Sequence, residues 1–389
     1  MNDLIMKQVA IVYFDAASGH RSAAVGLKRA LDRRYPDWSV RLINIVDLFD
    51  RHKRFGEIAR YGIDRFNRQL KRDKVFDLGG QINLSLLFHD LLGREGIRQL
   101  STFWKENPPD VVISVTPMYN PALYASVRLI NPAAVCITIP VDFEEVKPRY
   151  WFTPRVEQYY LNGTDRLHQQ ARKAGVPDRQ NYRVAGMVVD PLCYEIPNRD
   201  QRAERIRLGL DPDLPTGVIS FGGQGCIHLQ TIAEAVAQAD LRVNLIFLCG
   251  RNEVVFNTIQ NLETPYPKLV LGYLPETPIQ YLHLADFAIG KPGAMTITEA
   301  LITQTPLIAL KSKGMRPVQR GNEAWLVANQ VGILAGHAGE IVSAIRQISA
   351  NPVYQERTAA EAHRAVYDVA ELVGSFVSRN VEKKHDEYC

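Results

Sequence analysis

The chain of 389 residues is too long for one ordinary domain and fits two of roughly 150–200 residues each. Hydrophobic residues make up 46% and charged residues 23%, a balance that excludes extensive disorder. The net charge of +4 is modest, no apolar run approaches the ~18 residues of a membrane span, and the start, MNDLIMKQVAIVYFD, lacks a signal peptide's cleavage region. Cys136, Cys193, Cys226, Cys249 and Cys389 are scattered, with no CxxC and no Cys/His ligand spacing. Their odd number predicts reduced thiols in a cytoplasmic compartment and no structural zinc.

From the N-terminus, short apolar runs alternate with segments of helical length. Val9–Phe14, Val40–Val46, Val111–Val115, Val135–Ile139 and Gln158–Asn162 read as strands, and Gly217–Gly222, Val243–Cys249, Leu269–Leu274, Phe287–Gly290 and Pro306–Leu310 repeat the pattern. Strands separated by helices mean βαβ units and parallel sheets, so two Rossmann-like, doubly wound α/β domains are expected. Between Arg51 and Lys74, nine Lys/Arg face three Asp/Glu, interleaved with Phe55, Ile58, Tyr61, Ile63, Phe66 and Leu70. Such a segment either lies on an anionic membrane surface or packs one stripe on its own domain. It contains no recognisable nucleic-acid reading module, so no nucleic-acid partner is expected. The turn-rich DPLCYEIPNRD places a linker at residues 191–200, between domains at 1–190 and 201–355. Residues 356–389 read as a closing helix that crosses back onto the first domain.

Three loops follow strands and precede helices, the place where open α/β sheets bind ligands. In Asp15–Arg21, DAASGHR, small residues at Ser18 and Gly19 let a ligand approach the backbone, and His20 projects beside them with Arg21. His20 is either a ligand-facing group or an ordinary capping residue. In ISFGGQGC, Gly222, Gly223 and Gln224 leave amides bare for a pyrophosphate or a sugar. In GKPGAMTITEALITQTPLIAL a strand ends at Gly290, a tight turn holds Lys291 and Gly293, and a helix opens at Ala294, Met295 and Thr296. Phosphates there would meet unpaired amides and the positive end of the helix dipole. Glu299, about a turn further on, can accept both hydroxyl protons of a ribose, the division of labour of Rossmann sites. Gln319 and Asn322, in RPVQRGNEAWL, offer neutral amides suited to sugar hydroxyls, against the plainer readings of an exposed loop and an N-cap. Asp142 ends a strand beside Glu144 and Glu145, where a carboxylate could orient His20 or act as a base. Asp211-Pro212-Asp213 matches a metal-binding DxD pattern but sits where a turn is expected.

Taken in order, SGHR (Ser18–Arg21), VDF with Trp151, CGRN (Cys249–Asn252), GKPGAMTITEAL and PVQRGN (Pro317–Asn322) resemble glycosyltransferase family 28, and within it the monogalactosyldiacylglycerol synthases. A more distant similarity is to the peptidoglycan N-acetylglucosaminyl transferase that forms lipid II. The resemblance implies a GT-B fold and an inverting, metal-independent transfer of a hexose from a UDP-sugar to a lipid hydroxyl, with the first domain binding the acceptor. It implies no cofactor and a cytoplasmic enzyme peripheral to the inner face of the membrane. By position, Glu299 would hold the ribose and the backbone at Tyr273 and Leu274 would read the base. Gly293–Thr296, Arg251 and the Gly222–Gly225 loop would take the phosphates. Gln319 and Asn322 would bind the donor sugar, and His20, or else Asp142, would be the base. The chain departs from the family in Ala16-Ala17-Ser18, where glycines are usual, and in Arg320, where the synthases carry an acidic residue. Two rival readings are a UDP-N-acetylglucosamine 2-epimerase of the same fold and a non-catalytic nucleotide-sugar-binding protein.

Overall fold

The computed structural model describes residues 6–15, 19–51, 53–72, 75, 77–91, 93–195, 200–239, 241–275, 278–360 and 363–386. The first domain is built on β1 (Gln8–Tyr13), β2 (Ser39–Asn44), β3 (Val111–Ser114), β4 (Val135–Thr138), β5 (Tyr159–Asn162) and β6 (Asn181–Arg183), in the order β2-β1-β3-β4-β5-β6. The second is built on β7 (Thr216–Ser220), β8 (Asn244–Leu248), β9 (Lys268–Leu271), β10 (Phe287–Gly290), β11 (Leu307–Leu310) and β12 (Gly332–Ala335), in the order β12-β11-β10-β7-β8-β9. Every pairing is parallel.

The interior strands read as unbroken apolar runs because helices cover both faces. Val9 and Ile11 of β1 enter one core with Val111, Ile113 and Ile137, while Ala10 and Val12 enter the opposite core with Val112 and Cys136. In the first domain α1 (Gly19–Arg34) follows β1, and α2 (Ile45–Phe49), α3 (Lys53–Lys71), α4 (Leu78–Leu91) and α5 (Gly93–Ser101) lie between β2 and β3. Then come α6 (Asn120–Arg128) and α7 (Asp165–Lys173). The second domain carries α8 (Gln201–Arg207), α9 (His228–Ala237), α10 (Glu253–Asn261), α11 (Ile279–Leu282), α12 (Ala294–Ile302), α13 (Arg316–Ala328), α14 (Ile341–Ala350) and α15 (Val353–Ala360).

The last helix, α16 (Ala365–Asp386), returns to the first domain. Val366, Val369, Val373 and Phe376 are buried in its core, and the Phe376 ring stacks on Tyr159 of β5 with centroids 4.0 Å apart. Each sheet has a sixth strand beyond the ten runs named from the sequence. β6 is three residues of largely polar character, and β12 is four residues at a sheet edge.

Both sheets reverse direction of growth beside a ligand-type loop. The first does so between β1 and β3, where α1 starts at Gly19 and His20. The second does so between β7 and β10, whose loops are Phe221–Ile227 and Lys291–Gly293. Outside a switch point the helices diverge to either face and leave a crevice. The two crevices face each other. A Cβ built on Gly19, at the start of α1, would stand 3.7 Å from Met295 Cγ at the start of α12.

Candidate active site

Between the domains lies a cleft of about 940 Å³. All the candidate residues within the described portion line it: Gly19, His20, Arg21 and Asp142 from the first domain, and Gly222, Gly223, Gln224, Arg251, Tyr273 and Leu274 from the second. Lys291, Gly293, Ala294, Met295, Thr296, Glu299, Gln319 and Asn322 complete the second domain's wall. Ser18 lies outside the described residues.

On the second domain's side, α12 opens at Gly293 with extended backbone (φ −81°, ψ 144°), and no side chain caps its first amides. The groups a phosphate would take are therefore not engaged by a cap, at the end of the helix that favours negative charge. Lys291 is not an exposed turn residue. It lies half-buried at the cleft, where burial lowers its pKa while Glu299 works the other way. Glu299 is half-buried, and desolvation, reinforced by Asp190 and opposed by Lys291, raises its pKa to about 7. Asp190 itself is held at 2.5 Å by Arg29 of α1.

The glycine loop after β7 and the CGRN turn after β8 pack main chain against main chain. Gly225 (φ +69°) donates to the Gly222 carbonyl at 3.0 Å, and Arg251 N–H donates to the Gly223 carbonyl at 3.0 Å. A Cβ on Gly225 would come 2.1 Å from the Cys249 carbonyl oxygen, so only glycine fits. Gly250 (φ +54°) faces Gly223 in the same way, a role that the CGRN motif carried without revealing. The Arg251 guanidinium lies over the Tyr273 ring at 3.8 Å, so the expected phosphate ligand and the expected base-reading residue are partners at the cleft rim.

On the first domain's side, His20 Nδ1 donates to the Val115 carbonyl at 2.7 Å. With Nδ1–H committed, a neutral ring presents an unprotonated Nε2. Burial, with Lys291 adding to it, lowers the His20 pKa to about 4, so the ring is neutral near pH 7. Asp142 does not orient His20 through Nδ1, because a main-chain carbonyl occupies that nitrogen. Asp142 accepts instead from Trp151 Nε1 at 3.0 Å, and burial raises its pKa to about 7 despite that bond. The Trp151 ring lies 6.2 Å from that of His20 and so sits beside both groups, a role the motif did not announce. Glu145 accepts from the Tyr150 and Trp151 amides and fixes this loop.

Gln319 and Asn322 are neither loop nor cap. α13 begins at Arg316 with Pro317 in its first turn, and both amides lie inside the helix, 4% and 2% exposed. Gln319 Oε1 is buried with no hydrogen-bond partner among the described residues, a costly condition that a polar ligand would relieve. Asn322 has both ends of its amide engaged, with Phe143 N–H and the Pro292 carbonyl, and so offers a sugar neither of those bonds.

Below His20 the cleft becomes apolar. Phe49, Ile63, Phe66, Ile82 and Met118 line it, and Ile58, Tyr61 and Leu84 of α3 and α4 stand at its margin, 51%, 64% and 52% exposed. The α3 segment packs Ile63 inward, as the reading of one stripe on its own domain expects, and leaves Ile58, Tyr61 and Arg60, Arg65 and Arg68 exposed. Among the described residues no helix is long and apolar enough to cross a membrane. Asp211-Pro212-Asp213 forms a turn in which Asp211 Oδ1 accepts from the Asp213 amide, and Arg202 pairs with Asp213.

Residues 20–189 match the family model described as monogalactosyldiacylglycerol (MGDG) synthase. The chain is 25% identical over 354 residues to monogalactosyldiacylglycerol synthase 1 of Arabidopsis thaliana, covering 86% of this chain and 63% of that protein. It is 23% identical over 262 residues to the processive diacylglycerol beta-glucosyltransferase of Bacillus licheniformis, covering 67% and 61% respectively. The chain thus spans somewhat under two thirds of the length of these relatives. Among solved structures it superimposes on the spinosyn rhamnosyltransferase SpnG complexed with thymidine diphosphate with a TM-score of 0.60, at 12% identity, covering 95% of this chain and 99% of that one. The fold is GT-B, two doubly wound parallel sheets facing across a cleft.

Proposed function

We propose that the protein is a glycosyltransferase that moves a hexose from a UDP-sugar to the hydroxyl of a diacylglycerol-type lipid, with inversion at the anomeric carbon. The single observation that carries this reading is the composition of one cleft. An uncapped helix start with Glu299 lines one wall, a neutral histidine with a free Nε2 lines the other, and apolar side chains continue below it. The names of the Arabidopsis and Bacillus relatives supply the lipid acceptor, and they differ in the sugar.

In this reading the amides of Ala294, Met295 and Thr296 receive the diphosphate, with Lys291 close by, and Glu299 accepts the ribose hydroxyls. Gln319 Oε1 takes a sugar hydroxyl. The charge that develops on the departing UDP meets dipoles already in place, so no metal ion is required for its relief. His20 Nε2 takes the proton of the attacking hydroxyl. Asp142 is the second candidate for that role, because at a pKa of about 7 it is partly ionised at neutral pH. Ile58, Tyr61 and Leu84, with the basic residues of α3, hold the cleft's mouth against the cytoplasmic face of an anionic membrane without crossing it.

The test is a UDP-release screen over UDP-galactose, UDP-glucose and UDP-N-acetylglucosamine, with and without diacylglycerol vesicles. Release that depends on lipid, with a glycolipid product, is expected. Release without lipid dependence sinks the acceptor, and conversion of the UDP-sugar with no acceptor present supports an epimerase instead.

A further inference from the structure

The side chain of Asn322 touches both halves of the cleft at once. Its Oδ1 accepts from the main-chain N–H of Phe143, in the first domain, at 3.3 Å. Its Nδ2 donates to the carbonyl of Pro292, in the turn before α12, at 3.0 Å. The two partners dictate the amide's orientation, since Phe143 can only donate and Pro292 can only accept. With 2% of its surface exposed, the amide exchanges these bonds poorly with water.

The surroundings are fitted to this contact. One residue back, a Cβ on Gly321 would fall 2.3 Å from the Glu144 side chain, which would have to move aside. Glu144 is in turn held by Arg166 of α7 at 2.5 Å. Three residues on, Trp325 receives the Phe143 ring edge-on, with centroids 4.8 Å apart. One face of α13 therefore docks on residues 143–144, next to Asp142, while the same Asn322 holds the Lys291-Pro292-Gly293 turn.

We propose that Asn322 is a positioning residue, a latch that ties the phosphate-binding turn of the second domain to the Asp142-bearing segment of the first. The proposal rests on the sugar-transfer reading for its consequence but not for its geometry. Through one amide, the position of the turn that holds the diphosphate fixes the position of the loop that carries Asp142 and Trp151, and Trp151 lies beside His20. Breaking the latch removes no group proposed to touch the nucleotide, but it frees the Pro292 turn within the second domain as well as loosening that turn's register with the first. Misplacement of reacting groups by about 1 Å is enough to lower a rate by about 100-fold.

The experiment uses the full chain. Asn322→Leu removes both bonds at similar volume, and Trp325→Leu loosens the same contact while leaving the amide, in case the first variant fails to fold. Three quantities are read: UDP affinity by calorimetry, kcat for transfer at saturating donor, and the radius of gyration in solution. Expected for Asn322→Leu are a fall in kcat of about 30- to 100-fold, a clearly smaller loss of UDP affinity through the freed Pro292 turn, a rising share of UDP release as hydrolysis, and a larger radius of gyration. Trp325→Leu moves the same way by a smaller factor. An unchanged kcat, an unchanged radius, or a loss of UDP affinity as large as the loss of kcat overturns the latch. If the parent transfers no sugar to any acceptor, the functional reading fails, and the radius of gyration still decides the latch.

Discussion

Glu299 gives the most direct access to the donor side. Its pKa of about 7 arises from burial first, then from Asp190, with Lys291 opposing. A ribose whose two hydroxyls both donate needs the carboxylate, so the protonated form must lose its proton on binding. About half a proton should be released per nucleotide bound at pH 7. Going from pH 8 to pH 6, the ionised fraction falls from about nine tenths to about one tenth, so affinity should fall about tenfold, or ~1.4 kcal/mol. UDP-glucose suits the assay because its esterified diphosphate does not titrate in this range. Calorimetry in two buffers of different ionisation heat at each pH yields the proton count directly. Glu299→Gln keeps the shape, removes the titration and should bind with a pH-independent constant. Asp142 titrates in the same range on the facing wall, and the Gln variant separates the two. Proton release that survives in Glu299→Gln, or its absence in the parent, refutes the assignment.

Further outcomes follow from the same geometry. His20→Ala should reduce transfer about 100-fold or more while UDP affinity is retained, measured by initial rates and calorimetry; an unchanged rate moves the base to Asp142. Gly225→Ala combines a positive φ with a 2.1 Å approach to the Cys249 carbonyl, and should cost about 2–3 kcal/mol of stability in urea unfolding together with UDP affinity. Tyr61→Ser with Leu84→Ser removes two exposed apolar side chains at the cleft margin. It should weaken sedimentation with anionic vesicles about tenfold or more while leaving UDP affinity unchanged.

What could be read before the structure was the part of the molecule that repeats locally. Ten of the twelve strands are visible as apolar runs because both faces of each sheet are covered. β6 (Asn181–Arg183) escapes because a short edge strand pairs on one side and needs no such run, whereas β12 (Gly332–Ala335) is itself a short apolar run, GILA, beyond the ten named from the sequence. The loops after β1, β7 and β10 were legible because small residues between a strand and a helix have few other reasons to be there. The start of α13 was misplaced by three to six residues, although Pro317 is an ordinary residue for a helix's first turn and marks it. Asn322 was legible as a cleft residue but its bond to Phe143 was not, because that partner is 179 positions away and nothing in either local sequence names the other. The same holds for the Nδ1–H of His20, which could have met a carboxylate but meets the carbonyl of Val115.

The stacking of Phe376 on Tyr159 has a bearing on how the molecule comes into being. The first domain is not a continuous piece of chain: its core includes side chains from α16, more than 180 residues beyond β6. During synthesis the N-terminal sheet emerges first yet keeps an apolar flank uncovered until α16 has also left the ribosome. The second domain, whose strands all lie between residues 216 and 335, completes its sheet earlier. The half of the cleft built first is therefore finished last.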